Sequence, residues 1–395
     1  MKDPQENPII PAHVHGEMRA WRRHLHSRPE FGFEERETAA FVAERLREFG
    51  FDEVAEGVGG TGVVGSLTRG LGNRSIALRA DMDALRIAER SELAYRSTAQ
   101  GTMHACGHDG HTAMLLGAAK VLAREGGFDG TVRFLFQPAE EWGKGASAML
   151  ADGLLERFPF EEIYGLHNMP GLAIGEFQTR SGPLMSAEDN FEIVLTGSGG
   201  HAARPHATRE VLVAACALVM NLQTIVSRRL SPTEIGVVSV TELLTDGTRN
   251  VLPGQARILG DARSFHPEVS AEIERQMGVI AHATAAAYGV MAELAYTREF
   301  VPLLNDEALV REAFAAAHEV FAPGMASPAR EPMTGSEDFA RFLERVPGCF
   351  AFVGNGRDSA PLHNPSYDFQ DDGLSYGAGF HVAIARRRLG VSAPA

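Results

Sequence analysis

The stretch Met103–Ala119, MHACGHDGHTAMLLGAA, sets a cysteine and three histidines ahead of an apolar run. Three readings fit it: a metal cage, a thiol nucleophile with its own base, or a histidine-rich helix start without chemistry. Positions two apart on a regular helix point to different sides. Cys106 and His108 therefore share a target only if the segment is an extended turn, which Gly107 permits. A thiolate and an imidazole suit zinc and its first-row neighbours, and a bound cation lowers the thiol pKa. RADMDAL places Asp81 and Asp83 on one side of a strand end, because strand side chains repeat every two residues. QPAEE offers two adjacent carboxylates, Glu140 and Glu141, whose side chains diverge so that one can hold a metal while the other faces a water. GLHNMP presents His167 and PLHNPSYDF presents His363, each beside Asn and Pro in a turn. Singly, each has a bland reading as a surface carboxylate, a satisfied histidine or a capped turn. Together, with most at strand ends, they favour a metal centre. A cysteine hydrolase built on Cys106 with His108 or His111 would leave Glu140, Glu141, His167 and His363 unused.

The elements that must position these residues are legible in the hydrophobic periodicity. After a Pro-rich lead, Glu17 to Ser27 and Glu34 to Phe49 read as amphipathic helices. TGVVGSLT and SIALRAD read as strands, followed by a helix through about Arg124, the strand GTVRFLFQ, the helix ASAMLADGLLE and the strand IYGLHNMP. Strands alternating with helices imply an α/β sheet with parallel character, in which functional groups collect where strands end. From about Ala187 the order changes to strand NFEIVLTG, helix Arg209 to Arg229, strands IGVVSVTELL and QARILGDARSF, helix Glu268 to Tyr288, and strand MAELAYTREF. This β-α-β-β-α-β order is the ferredoxin-like arrangement. Helices from Glu307 and Glu337, the strand CFAFVG and a helix from Gly373 then resume the first pattern. The expected organisation is one catalytic domain, residues 1–186 and 300–395, interrupted by an inserted domain, residues 187–299.

With 395 residues, 44% hydrophobic and 22% charged, the composition is that of an ordinary globular protein. A formal charge of −14 argues against nucleic acid or an anionic membrane as partner, since both need basic surface. No apolar run reaches the length of a membrane span, and the N-terminal stretch lacks a signal-peptide core. Three scattered cysteines, Cys106, Cys216 and Cys349, do not make a disulfide framework and fit a reducing cytoplasm. Cys216 and Cys349 read as core fillers. His104 and His111 read as packing or capping groups, and His24, His26, His206 and His381 as structural or surface ones.

RRHLHSRPEFGFEERETAAFV, RADMDAL, MHACGHDGHTAMLLGAA, FQPAEEWGKGA, GLHNMPG, GSGGHAARPH, GSEDFA and LHNPSYDF are spread along nearly the whole chain. With them the sequence resembles the aminoacylase and carboxypeptidase-like di-metal hydrolases, specifically the hippurate hydrolase and auxin-conjugate amidohydrolase subgroup. The resemblance implies a metal-dependent exopeptidase-like catalytic domain with an inserted dimerisation or lid domain, acting on the amide bond of N-acyl amino acids. It implies two divalent ions per subunit, zinc or manganese with cobalt and nickel also admitted. Cys106, His108, Glu141, His167 and His363 become the expected ligands, with the Cys106 thiolate the candidate bridge. Glu140 becomes the general base and Asp83 the group that orients a ligand. His201 corresponds to a histidine that reaches the oxyanion, and Asn250 and Arg263 to groups for the substrate carboxylate. The expected partners are a small N-acyl amino acid and a second copy of the chain, as a homodimer or homotetramer. A catalytically silent metal-binding relative is the competing reading, and the intact Glu140 opposes it. Two departures stand out. Arg86 replaces the usual proline after RADMDAL, and WGKGA replaces a glycine-rich run. Trp142 there either walls the acyl pocket or packs under the loop.

Overall fold

The computed structural model describes residues 9–390, so the first eight residues of the Pro-rich lead lie outside the described residues. Two compact units emerge: Met1–Leu184 with Leu304–Glu331 and Glu337–Ala395, and Met185–Leu303 with Pro332–Ser336. The sequence assigns all of 300–395 to the first unit. Pro332–Ser336 instead belongs to the second, where the Ser186 amide donates to the carbonyls of Met333 and Gly335 at 3.1 and 3.0 Å.

The first unit is built on eight strands in the order Glu53–Val58, Gly62–Arg69, Gly130–Gln137, Ser75–Asp81, Glu162–Met169, Gly348–Gly354, Phe177–Gln178 and Ala326–Ser327. The four in the middle, Gly130–Gln137 through Gly348–Gly354, run parallel. Glu162–Met169 and Gly348–Gly354 are buried throughout, as the unbroken apolar run CFAFV requires. Parallel strands bring their C-terminal ends to one edge, and here that edge carries Asp81, Gln137, His167 and Gly354. The helix His108–Glu125 starts at the same edge. It packs against Ala12–His26, Leu374–Arg388 and the strand Ser75–Asp81. Because it is buried on nearly every side, its TAMLLGAA run lacks a polar stripe.

The second unit has strands Ala187–Thr196, Gly236–Thr245, Gln255–Ser264 and Met291–Phe300, with helices Val211–Leu222 and Pro267–Tyr288. Its sheet runs second strand, third, first, fourth, with every pairing antiparallel. That is the ferredoxin-like arrangement. Ala187–Thr196 buries alternate residues, and Phe191, Ile193 and Leu195 meet Leu218, Ile273 and Met277 in the core.

Three elements differ from the sequence expectation. The helix expected from Glu337 is only Ala340–Leu343, because the Glu337 and Asp338 carboxylates are drawn inward to Arg79. The helix Arg209 to Arg229 stops at Leu222 and ends in a wider turn, Ile225–Arg229. ASAMLADGLLE breaks at Gly153 (φ +77°) into two short helices. Among the described residues no helix is long and apolar enough to cross a membrane.

Gly145, at the start of the helix that follows QPAEE, has no room for a side chain: a Cβ there would lie 1.5 Å from the Pro138 carbonyl oxygen. Gly145→Ala is expected to cost about 1–3 kcal/mol as overpacking, read as a lower midpoint in denaturant unfolding.

Candidate metal centre

Gly107 is left-handed (φ +94°), and a Cβ on it would collide with Asn168 Oδ1 at 2.2 Å and Tyr367 Oη at 2.7 Å. Glycine is therefore required both by conformation and by space. The bend it makes separates Cys106, in the turn, from His108, which is the first residue of the helix. The sequence places both in the turn; only Cys106 is there. The two nevertheless converge with His167: the three donor atoms lie within 4.8 Å of one another. Two further groups, Cys106–Glu141–His363 and His108–Glu140–Glu141, close to the same limit. The five expected ligands and Glu140 thus occupy one place.

The His108 and His167 rings are each aimed by a partner behind them. Asp83 Oδ1 lies 3.1 Å from His108 Nδ1, and Asp83 Oδ2 accepts the Glu141 amide at 3.1 Å. One carboxylate thereby fixes two of the candidate ligands and leaves His108 Nε2 free. His167 Nδ1 donates to the Asn168 carbonyl at 2.6 Å, so its Nε2 keeps a bare lone pair, 3.3 Å from Cys106 Sγ. Carboxylate and carbonyl backing of this kind orients metal-binding histidines. His363 is itself left-handed (φ +63°), its amide donating to the Ala105 carbonyl at 2.8 Å. Its Nε2 lies 3.4 Å from Glu141 Oε1, and His108 Nε2 lies 4.0 Å from the same oxygen. Tetrahedral sites with bonds of about 2.0–2.3 Å have donor–donor edges of about 3.3–3.8 Å, close to these separations. His363 is the exposed member, with 53% of its side chain accessible, so the centre opens on that side.

The electrostatics ask for positive charge. Burial, with Glu337, Glu141 and Asp338 close by, pushes the Glu140 carboxyl well above its ordinary range. Burial and the charges of Glu141, Glu140 and Asp81 likewise push the Cys106 thiol well up. Burial opposes charging His108, yet Asp81 and Asp83 raise it to about 10. His108 Nε2 is buried and has no hydrogen-bond partner, and Glu141 Oε1 faces the candidate ligand His363. Buried polar atoms are almost always satisfied, so an unpaired imidazole nitrogen aimed at a space among thiol, imidazole and carboxylate donors fits a cation.

The sequence reading missed the layer beneath. Arg79, fully buried, donates to Asp81 Oδ2 at 2.8 Å, Glu337 Oε1 at 2.9 Å and Asp338 Oδ1 at 3.2 Å, and its Nε donates to Gln137 Oε1 at 2.8 Å. The RADMDAL and GSEDFA motifs carried the signal, but nothing in either says that they meet. His111 joins Asp81 at 2.7 Å to Asn168 at 2.7 Å, so both of its ring nitrogens are engaged. His104 is buried without a partner on either ring nitrogen, and burial pushes it down to about 4. His26 binds Asp109 at 2.9 Å; burial disfavours its charge, but Asp109 and Glu89 push it up to about 9. Trp142 packs edge-on against Phe31 at 4.9 Å, and Arg86 covers the same Phe31 ring at 4.1 Å. Both departures from the family pattern therefore meet on one aromatic side chain.

His201, Asn250 and Arg263 belong to the second unit. The strand Gly200–His201 pairs with Val251–Leu252, bringing His201 beside Asn250, whose carbonyl accepts the Ala202 amide at 3.0 Å. Arg263 is held by Asp261 at 2.8 Å and Glu188 at 2.9 Å. Cys349 is buried as expected. Cys216 is not a core residue: the helix Val211–Leu222 turns it outward with Leu212, Val213 and Met220.

Residues 77–387 match the family described as peptidase family M20/M25/M40. The chain belongs to the M20 peptidase family. It is 38% identical over 376 residues to a hippurate hydrolase from Campylobacter jejuni, covering 95% of this chain and 97% of that one. It is 37% identical over 386 residues to an N-acetyl-L-cysteine deacetylase from Bacillus subtilis, covering 98% and 91%. Among solved structures, a Bacillus subtilis protein described as a dinuclear metal-binding peptidase of the M20 family superposes with a TM-score of 0.85 at 33% identity, covering 95% of this chain and 98% of that one. The donor set above is a candidate site for divalent metal.

Removing the buried cation should expose how much depends on it. Arg79→Met leaves Asp81, Glu337 and Asp338 buried without their counter-ion, and a loss of about 3–5 kcal/mol in unfolding free energy is expected.

Proposed function

We propose that this M20 enzyme hydrolyses the amide bond of N-acyl amino acids, releasing a free amino acid and a carboxylic acid. The reading takes two divalent ions per chain, which Cys106, His108, Glu141, His167 and His363 would hold. The observation that carries it is the difference between the two carboxylates of QPAEE. Both approach His108 Nε2, Glu140 at 3.9 Å and Glu141 at 4.0 Å, but Glu141 also lies 3.4 Å from His363 Nε2 and groups with Cys106, whereas Glu140 groups with Glu337 and Asp338 on its other side. When bound, the ions polarise the scissile carbonyl and make the attacking water more acidic. Glu140 takes the proton from that water and passes it to the leaving amine nitrogen. Asp83 keeps His108 and the Glu141 backbone in register throughout.

In the second unit, the Ala203 amide donates to His201 Nδ1 at 3.0 Å. This puts the ring proton on Nε2 and makes His201 a donor suited to the oxyanion. Asn250 and Arg263 take the substrate carboxylate. Arg263 already has Asp261 and Glu188 as counter-ions, so the exposed Asn250 is the less costly anchor. Leu212, Val213 and Met220, which are 40%, 55% and 70% exposed, supply an apolar helix face that supports a homodimer through this unit. The free thiols, Cys216 on the surface among them, support a reducing compartment such as the cytoplasm.

A hydrolysis panel of N-acetyl, N-benzoyl and indole-acetyl amino acids, run with zinc, manganese, cobalt and nickel, tests the reading. Chelation should abolish turnover and a divalent metal should restore it. Glu140→Gln should lower kcat by about 10²–10⁴ while metal content stays that of wild type. Activity that survives chelation would return the cysteine hydrolase. Metal-loaded protein inert across the panel would favour the silent binder.

A further inference from the structure

Glu35 occupies the N-cap of the helix Arg36–Glu48, yet its side chain makes no cap hydrogen bond. Another residue caps the helix: the Glu30 carboxylate accepts the amides of Arg36 and Glu37 at 3.0 Å and of Thr38 at 2.8 Å. These are the donors that a helix start leaves open. Released from them, the fully buried Glu35 reaches across to QPAEE, where its Oε1 accepts the Ala139 amide at 2.8 Å; its Oε2 takes the Thr61 hydroxyl at 2.5 Å.

Ala139 is the residue before the two site carboxylates, and its backbone is left-handed (φ +47°). A residue with a Cβ is strained there and stays only when its surroundings hold it. Its carbonyl is held by the Gly145 amide at 3.1 Å, and its amide by Glu35. On the remaining side is Gly32, where a Cβ would come within 3.0 Å of the Ala139 Cβ. The direction in which the chain leaves Ala139 sets where Glu140 and Glu141 point.

We propose that Glu35 is a positioning residue whose buried carboxyl clamps Ala139 in its left-handed state and thereby aims Glu140 as base and Glu141 as ligand. Burial, with Asp83 adding like charge after the hydrogen bonds oppose it, pushes Glu35 up to about 7. An oxygen able to accept from Ala139 is present in both protonation states, so the clamp needs an acceptor and not a charge.

The test uses the full chain, stripped of metal and titrated with zinc by calorimetry, alongside kcat and KM on the best substrate of the panel. Glu35→Ala should weaken zinc binding about 10- to 100-fold and lower kcat with a much smaller change in KM. Glu35→Gln, whose amide oxygen still accepts from Ala139, should stay close to wild type. The decisive variant is Ala139→Gly in the Glu35→Ala background. Glycine adopts positive φ without strain, so it should recover most of both losses, which a mere fold defect would not allow. If Glu35→Ala fails to fold, Gly32→Ala presses on Ala139 from the other side and should show the same losses and the same recovery with Ala139→Gly. Wild-type zinc affinity in Glu35→Ala, or no recovery with glycine at 139, would overturn the proposal. The kcat arm rests on the hydrolase reading and the zinc arm does not: an inactive wild type counts against the former alone.

Discussion

Buried carboxylates of like charge cannot stay ionised together unless something compensates them. In this protein Asp81, Asp83, Glu140, Glu141, Glu337 and Asp338 converge at one end of a parallel sheet. Arg79 answers Asp81, Glu337 and Asp338 from below, and Asp83 is answered by the His108 ring. Glu140 and Glu141 are left facing the space that Cys106, His108, His167 and His363 also face. The fold follows from this arrangement. Four parallel strands are needed to bring the carboxylates to one edge, and a wholly buried helix to seat His108 there.

Backbone strain is distributed accordingly. Among the described residues, the non-glycine positions with positive φ are Phe33, Ala139 and His363. Ala139 precedes the two central carboxylates, His363 is a candidate ligand, and Phe33 lies two residues before the buried carboxyl that holds Ala139. Strain of this kind persists where surrounding contacts over-determine it. The Ala105 carbonyl does so for the His363 amide, and Glu35 does so for Ala139. Both contacts join segments far apart in sequence.

That separation explains what the sequence could and could not disclose. Period-two patterns located the ferredoxin-like strands nearly to the residue, most clearly Ala187–Thr196 and Gln255–Ser264, which bury alternate residues. Strand ends plus residue types picked out Cys106, His108, Glu140, Glu141, His167 and His363 without contacts. The role of Arg79 was invisible, since a single arginine in an apolar strand says nothing about carboxylates more than 250 positions away. Glu337 was read as a helix start for the same reason. Cys216 was misplaced because VLVAACALVM is apolar on all sides, and no periodicity tells the face against the sheet from the outward one.

The central proposal is that one buried donor cluster, Cys106 included, would hold two divalent ions. Crystals soaked in zinc and measured across the zinc absorption edge test it directly. The account predicts two anomalous peaks per chain, at least one within bonding distance of Cys106 Sγ, one reached by His108 and the other by His363. A single peak, or a pair of peaks that leaves Cys106 unbound, would contradict it.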